Sequence, residues 1–275
     1  MRLLYPRKPV FLVILRIEVS IIFIIMSFFS GFIQRLPPVT KNLAGVCILV
    51  WAVMALFPGV DRALTRWCAM YYFSSPGYEP MQLFSYMFLH SGFTHLFFNM
   101  FALLMFGGVI ERALGSYRFL FYYLACGIGA GLIQEGVSAV FVYKYASMLP
   151  ADAYAEICRT GWTLMHQGLT FADPTAATLN ALVNTPLVGA SGAIYGILLA
   201  FGMLFPNQPV YIWFIPVPVK AKWLVVGYVV LELFYGLGGI ADNVAHFAHL
   251  GGMLVGFIMI LYWKKKGTFN GHWFF

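Results

Sequence analysis

A serine between small residues, Ser191, opens an apolar stretch and is the first candidate for chemistry in this chain. It stands in Gly189-Ala190-Ser191-Gly192, where small neighbours allow another backbone to approach the hydroxyl closely. Gly192, Gly196 and Ala200 recur every four residues and predict a smooth helix face of the kind through which membrane helices pack. On its own this pattern favours a packing stripe over a nucleophile, so the serine needs a partner.

Two histidines, His246 and His249, fall inside another apolar stretch, where ionisable side chains are costly and usually functional. Ala248 and Gly252 belong to a second stripe of small residues, and His249 follows Ala248 directly. Helices packed through such stripes bring their flanking side chains to hydrogen-bond distance, which proton transfer from a hydroxyl to an imidazole requires. We therefore predict Ser191 as nucleophile and His249 as its general base. Either histidine alone could instead be a buried imidazole bonded to a carbonyl.

A third polar group consists of His90, His95 and Asn99. Residues four apart share one helix face, so His95 and Asn99 can direct two hydrogen-bond donors toward one point. Such donors stabilise the oxyanion that forms when a hydroxyl attacks a peptide carbonyl, and one donor is worth about 3–4 kcal/mol of barrier. Asn99 alone would be interpreted as a tie between helices. A nucleophile, a base and oxyanion donors together favour hydrolysis by a serine.

The elements that must position these groups are membrane helices. Of the 275 residues, 61% are hydrophobic and 10% are charged, whereas a soluble domain carries about 25% charged residues. A helix needs about 20 mainly apolar residues to cross the hydrocarbon. This requirement predicts an all-α polytopic bundle with six spans: Leu43–Pro58, Thr94–Ile110, Phe119–Val142, Ala190–Phe205, Trp223–Leu237 and Val244–Trp263.

Basic residues predict how the bundle is oriented, because short cytoplasmic loops hold an excess of Lys and Arg. If the six spans alternate, one side receives Arg35, Lys41, Arg112, Arg118, Lys220, Lys222 and residues 264–266. Both ends of the core are then expected in the cytoplasm, with Asp61–Leu89 and Tyr143–Val188 on the opposite side. We expect a multi-pass protein of the bacterial inner membrane, with the lipid bilayer around it.

The segment 1–36 before the core is apolar and basic, and its structure stays open. Its stretch Pro9–Phe32 carries Arg16 and Glu18 near the middle, and each is costly at the centre of a bilayer. Three interpretations remain: an interfacial amphipathic helix, an additional span, or sequence upstream of a true start at Met26. The first and third agree better with the charge rule.

The predicted core covers residues 37–264 and is followed by a short cytoplasmic tail, 265–275. Within the core, residues 143–188 form a long external loop. Three of its apolar side chains, Trp162, Leu164 and Phe171, are expected to lie along the membrane surface.

The four cysteines show no spacing typical of zinc or redox motifs. We predict neither a metal site nor a cofactor, and no nucleic-acid partner. Cys47 and Cys126 fall in apolar stretches, as is typical of buried thiols. Cys68 and Cys158 fall on the same predicted side of the membrane, so a disulfide between them stays open.

The motifs, in this order, resemble those of the rhomboid intramembrane proteases. The matching elements are His90 with His95-xxx-Asn99, Glu111-Arg112 with Leu114-Gly115-Ser116, Gly189-Ala190-Ser191-Gly192 with Tyr195, and Ala248-His249-Leu250-Gly251-Gly252. They extend from Phe84 to about Gly256. The resemblance implies a six-helix core and a serine endopeptidase that cleaves helix-destabilised transmembrane segments of membrane proteins.

The resemblance also implies residue roles. Ser191 and His249 would form a catalytic dyad, and Tyr195 would stack on the catalytic imidazole. Support of the oxyanion would come from His95 and Asn99, with His90 and Gly189 beside them and the backbone NH of Ser191 as a further donor. The small residues Gly192, Gly196, Ala248 and Gly252 would pack the helices.

Two positions depart from the family pattern. The Trp-Arg pair common in the first external loop is Met81-Gln82 here, which questions how this loop is anchored in the lipid interface. The arginine often found two residues after the glutamate of the second helix is Ala113, and Arg112 is a candidate substitute.

Two polar residues before His249, His246 and Asp242, are expected to have different roles. The family register assigns His246, three residues earlier, to the side of the external water rather than to the serine. Asp242 lies seven residues earlier, about 10.5 Å along a helix, and is expected to cap the last helix with Asn243 rather than complete a triad. Tyr195 is then the group that orients the imidazole.

Two other classes of protein compete with the protease. An inactive rhomboid-like scaffold would bind membrane clients without cutting them, and the retention of both Ser191 and His249 argues against it. A small transporter would show internal repeats and broken helices in both halves, and no such repeat is present in the sequence.

Overall fold

The computed structural model describes residues 31, 34–211, 217–238 and 246–267. Most of the segment 1–36, Asp242 and the last eight residues lie outside these ranges. The helices in chain order are α1 (Pro38–Leu56), α2 (Pro58–Cys68), α3 (Gln82–Ser85), α4 (Phe93–Ala102), α5 (Gly108–Leu114), α6 (Ser116–Ala146), α7 (Ala153–His166), α8 (Pro174–Asn184), α9 (Ser191–Leu204), α10 (Ala221–Gly238) and α11 (His246–Lys265). The prediction of an all-α polytopic membrane protein is confirmed.

Short elements join these helices. A 3₁₀ turn, Tyr86–Phe88, follows α3, and a π-helical segment, Leu103–Gly107, connects α4 to α5 into one continuous span. Two short antiparallel strands, β1 (Pro209–Val210) and β2 (Val219–Lys220), pair between α9 and α10. Within the described residues, five helices are long and apolar enough to cross a membrane: α1, α4 with α5, α6, α10 and α11.

The remaining predicted span, Ala190–Phe205, corresponds to α9, which is shorter than the hydrocarbon layer of a membrane is thick. Its 14 residues rise about 21 Å, against roughly 30 Å of hydrocarbon. The Lys264 ammonium donates to the Met203 carbonyl near the C-terminal end of α9 at 3.0 Å, which ties that end to a basic end of α11. If this end lies level with the lysines that close α11, the missing length is at the other end of α9, where Ser191 begins the helix.

Small residues let α9 pack tightly against α11. A Cβ atom on Gly252 would lie 1.9 Å from the Gly192 carbonyl oxygen, and one on Gly196 would lie 3.1 Å from the Gly252 carbonyl oxygen. Ala248 also borders Gly192, since its carbonyl oxygen is 3.5 Å from the Cβ that Gly192 lacks. The two stripes of the sequence therefore face each other.

The first connecting loop is held from inside by Gln82. This side chain is fully buried, accepts from the Tyr71 NH at 3.3 Å and donates to the Gly77 carbonyl at 2.8 Å. Met81 beside it is exposed. At the position of the family's Trp-Arg pair, this chain thus has a glutamine that fastens the loop to its own backbone.

Residues 143–188 form a helical hairpin rather than an extended surface loop. Helices α7 and α8 pack on the last turns of α6 through buried Val142, Ile157, Ala176, Leu179 and Val183. Phe171 packs against this cluster, and Trp162 packs with Tyr71 in a neighbouring one. Trp162, Leu164 and Phe171 are half-buried, so the hairpin has a small core of its own, and their position at the membrane surface stays a prediction. Cys68 and Cys158 are free thiols.

The bundle has two ends of different composition. The loop end carries α2, α3, the α7–α8 hairpin and the first residue of α9. The basic end carries the start of α1, the turn between α5 and α6, the β1–β2 pair and the lysines that close α11.

Candidate active site

Ser191 and His249 meet at the loop end of the bundle. The Ser191 Oγ lies 2.8 Å from the His249 Nε2, which is hydrogen-bond distance. The two residues are 58 positions apart in the sequence, and the tight packing of α9 on α11 brings them together. Ser191 is partly exposed and His249 is buried, so the hydroxyl can be reached while its partner is shielded.

The turn before Ser191 depends on Gly189. Its φ of 126° lies in a region that side chains rarely adopt, and its NH donates to the Tyr86 carbonyl at 3.0 Å. A Cβ atom there would lie 2.8 Å from the His95 Nε2 and 3.7 Å from the Ser191 Oγ. The absent side chain therefore leaves the space in which His95 approaches the serine.

A carboxylate that the sequence analysis did not single out, Glu232, lies behind His249. Its Oε1 is 3.0 Å from the His249 Nδ1, and its Oε2 is 2.6 Å from the His246 Nδ1. Both histidines are buried, as is Glu232. His246, predicted to lie nearer the external water than His249, is one turn before His249 on α11 and is buried, because this carboxylate of α10 holds it inside the bundle.

Glu232 left a signal in the sequence that could have identified it. It is an acidic residue near the middle of the predicted span Trp223–Leu237, and an ionisable residue inside a membrane span is a functional candidate by default. Without contacts, nothing in the sequence indicates that Glu232 and His249 share a site.

Tyr195 stacks on the His249 imidazole. The ring centroids are 4.2 Å apart and the planes differ by 4°, the face-to-face arrangement that the resemblance implies. The Tyr228 ring of α10 meets Tyr195 edge-on at 5.8 Å. A ring on one face and a carboxylate at Nδ1 thus leave His249 little freedom to rotate.

Two of the three predicted oxyanion residues approach each other at the loop end, while the third bonds within its own helix. The Ser91 hydroxyl lies 3.1 Å from the His95 Nδ1, and the other nitrogen of His95 faces the Gly189 position. The ring of His90 lies edge-on to His95 at 5.2 Å, and burial lowers the pKa of His90 to about 4, so it is neutral at physiological pH. The Asn99 amide donates to the His95 carbonyl at 2.8 Å.

One group of described residues has ligand atoms close enough together to hold a metal ion. It consists of Glu232, His246 and His249, whose donor atoms all lie within 4.8 Å of one another. Each imidazole Nδ1 already faces a separate carboxylate oxygen at hydrogen-bond distance. With a proton on each Nδ1, hydrogen bonds to the two carboxylate oxygens would satisfy these atoms.

Comparisons with known proteins identify the family. A family model described as "Rhomboid domain" matches residues 78–266. The chain is 28% identical over 173 residues to "Rhomboid protease AarA" of Providencia stuartii, covering 62% of this chain and 51% of that protein. It is 27% identical over 105 residues to "Rhomboid protease GlpG" of Salmonella choleraesuis strain SC-B67, covering 38% of this chain and 37% of that protein. The matches thus span about half or less of these relatives.

Proposed function

Because this chain belongs to the rhomboid family, we propose that it is a serine endopeptidase that cleaves transmembrane segments of membrane proteins through Ser191 and His249. The observation that carries the proposal is the 2.8 Å distance between the Ser191 Oγ and the His249 Nε2 on two tightly packed helices. Two relatives named as rhomboid proteases support the same activity.

In the proposed reaction, the Ser191 hydroxyl attacks the peptide carbonyl while its proton passes to the His249 Nε2. The C–N bond then breaks, the imidazolium gives its proton to the leaving amine, and an acyl-enzyme remains. Water attacks the acyl-enzyme, again with His249 as the base, and releases the acid. No metal or cofactor enters this sequence of steps.

The oxyanion would form beside the first turn of α9. Unpaired NH groups at a helix N-terminus and the helix dipole favour negative charge there. His95 reaches the same region through the space above Gly189, and each such donor is worth about 3–4 kcal/mol of barrier. Asn99 would support His95 through the bond to its carbonyl.

The proposed location follows from the charges at the ends of the bundle. Arg112, Arg118 and Lys220, with the lysines that close α11, all lie at the basic end, and such residues favour the cytoplasmic side. We therefore place the loop end, with Ser191, toward the outer side of a bacterial inner membrane. Substrates would be membrane proteins whose transmembrane helices unwind easily enough to reach the serine.

A labelling experiment tests the proposal. Wild-type protein in detergent is expected to react covalently with a fluorophosphonate at Ser191 and, in proteoliposomes, to cut a transmembrane substrate containing helix-breaking residues. Ser191→Ala should abolish both reactions while leaving the protein folded, because alanine keeps the small stripe. An inactive scaffold would give no labelling by the wild type, and labelling that survives Ser191→Ala would exclude Ser191 as nucleophile.

A further inference from the structure

We propose that Glu232 is a positioning residue that acts on His249: its carboxylate orients the imidazole and stabilises the positive charge that His249 gains when it takes the proton of Ser191. The proposal rests on the proposed protease function and deepens it. It also assigns His246 a role, as the second donor that fixes the carboxylate of Glu232.

The hydrogen bonds determine the tautomer of the base. An ionised carboxylate only accepts hydrogen bonds, and the two oxygens of Glu232 face the Nδ1 atoms of His249 and His246 at 3.0 and 2.6 Å. Each imidazole therefore carries its proton on Nδ1. This leaves the Nε2 of His249 with a free lone pair directed at the Ser191 hydroxyl, 2.8 Å away. The general base is thereby prepared in the one tautomer that can accept the proton.

The second histidine explains how the carboxylate keeps its orientation. His246 and His249 lie three residues apart on α11, and each takes a different oxygen of Glu232. A carboxylate held at both oxygens cannot rotate about its last bond. The ring of Tyr235 stacks on His246 at 5.6 Å, so the second donor is itself restrained.

Because Glu232 is buried, its contacts with the two histidines matter for both its own stability and the charge on His249. Glu232 is 6% exposed, and a carboxylate inside a membrane helix is costly unless it is paired. Its partners among the described residues are side chains, the two imidazoles and the Tyr195 hydroxyl, rather than backbone groups. When His249 takes the proton of Ser191 and becomes positive, the negative charge at its Nδ1 stabilises it, as the acid of a catalytic triad does.

The test compares Glu232→Gln and Glu232→Asp with the control Glu135→Gln. Glu135 is also a buried carboxylate in a membrane helix, but it accepts from the Phe73 backbone NH, at 3.2 Å. In Glu232→Gln the amide NH₂ can donate to the His249 Nδ1 and favour the wrong tautomer. We expect the fluorophosphonate labelling rate and kcat to fall about 10²- to 10⁴-fold, with KM nearly unchanged.

Three further readouts separate positioning from a structural role. The ¹⁵N shifts of His249 should report an Nδ1–H tautomer in the wild type and an Nε2–H tautomer in Glu232→Gln. Glu232→Asp should restore part of the rate, and Glu232→Gln should cause no further loss in a His249→Ala background because both changes act on one step. Glu135→Gln should label at the wild-type rate.

The outcomes distinguish the two proposals. If wild-type protein does not label at all, the protease function fails. If it labels and Glu232→Gln labels equally fast, or if the tautomer of His249 does not change, only the role of Glu232 is overturned. Loss of wild-type labelling in EDTA, restored by Zn²⁺, would also overturn it, because a metal and not protons would then join the three side chains. Thermal unfolding of each variant shows whether it is folded.

Discussion

Two buried carboxylates at opposite ends of this bundle have opposite kinds of partners. At the basic end, Glu111 accepts from the backbone NH groups of Val39 at 3.0 Å and Thr40 at 2.7 Å and from the Ser116 hydroxyl at 2.7 Å. At the loop end, Glu232 faces two imidazole nitrogens. Both side chains are almost fully buried, so exposure does not distinguish them.

The partners determine what each carboxylate can do. The NH groups at the start of α1 cannot lose or shift their protons, so Glu111 caps that helix and ties it to the start of α6. An imidazole exchanges protons near neutral pH and has two tautomers. A carboxylate bonded to it therefore influences chemistry. Burial of an acid in a membrane helix indicates importance, and the partners decide between structure and catalysis.

The largest effect is expected from His249→Ala. Removal of the base should lower turnover by about 10⁴- to 10⁶-fold and abolish fluorophosphonate labelling.

His246→Ala removes one donor from Glu232 but leaves the bond to His249, so a loss of ~1 kcal/mol, roughly 5- to 10-fold in kcat, is expected. Rates measured on one transmembrane substrate in proteoliposomes check both values.

The control for this pair is His246→Gln, whose amide can still donate to the carboxylate and should recover most of the rate. The reverse pattern, with His246→Ala inactive and His249→Ala active, would contradict the assignment of the base. Equal losses from both changes would indicate that the two histidines act as one unit.

Tyr195→Ala should have an intermediate effect. The ring restrains the face of His249 that Glu232 does not contact, and a ring pair of this kind is worth about 0.5–1.5 kcal/mol. We expect kcat to fall roughly 2- to 12-fold, measured beside the thermal stability of the variant. Tyr195→Phe keeps the ring and should stay within about twofold of wild type. A large loss in Tyr195→Phe would show that the hydroxyl, rather than the stacking, matters.

Glu111→Gln should lower the stability of the protein without slowing its reaction, whereas Glu232→Gln should slow the reaction. A glutamine places an NH₂ against the NH groups of α1, so one buried donor loses its acceptor, at a cost of about 1–3 kcal/mol in the free energy of unfolding. The rate per folded molecule should not change, because Glu111 lies at the far end of the bundle. Unfolding in mixed micelles together with the labelling rate checks both statements. A slower labelling rate in folded Glu111→Gln would contradict the purely structural role of Glu111.

The sequence predicted the architecture because membrane spans are encoded by length and apolar composition. The small stripes of Gly192 and Gly252 also indicated which helices meet, since only residues without side chains allow such close contact. Span limits moved by a few residues: α1 starts at Pro38 instead of Leu43, and α6 continues to Ala146. Continuation of α6 is explained by its contact with the α7–α8 hairpin.

The remaining features depend on contacts between distant residues. In the α7–α8 hairpin, Ile157 and Val183 are buried in one hydrophobic cluster. Single apolar residues in a polar segment do not reveal such a core. Glu232 needed the position of α10 relative to α11, which no local spacing gives. The partner of His246 was missed for the same reason, because it lies 14 residues earlier in another helix.

The smallest effect is expected from Asp242→Asn. An imidazole Nδ1 carries one proton and donates well to one acceptor, and in His249 that acceptor is Glu232 at 3.0 Å. A second acid has no donor left on the base, so Asp242→Asn should keep kcat within about twofold, measured on the same substrate as Glu232→Gln. Asp242 lies outside the described residues, so this prediction depends on the occupied Nδ1 and not on the position of Asp242. If Asp242→Asn reduced kcat by several orders of magnitude while Glu232→Gln did not, the acid that orients His249 would be Asp242, and the contrast between the two ends of the bundle would lose its catalytic half.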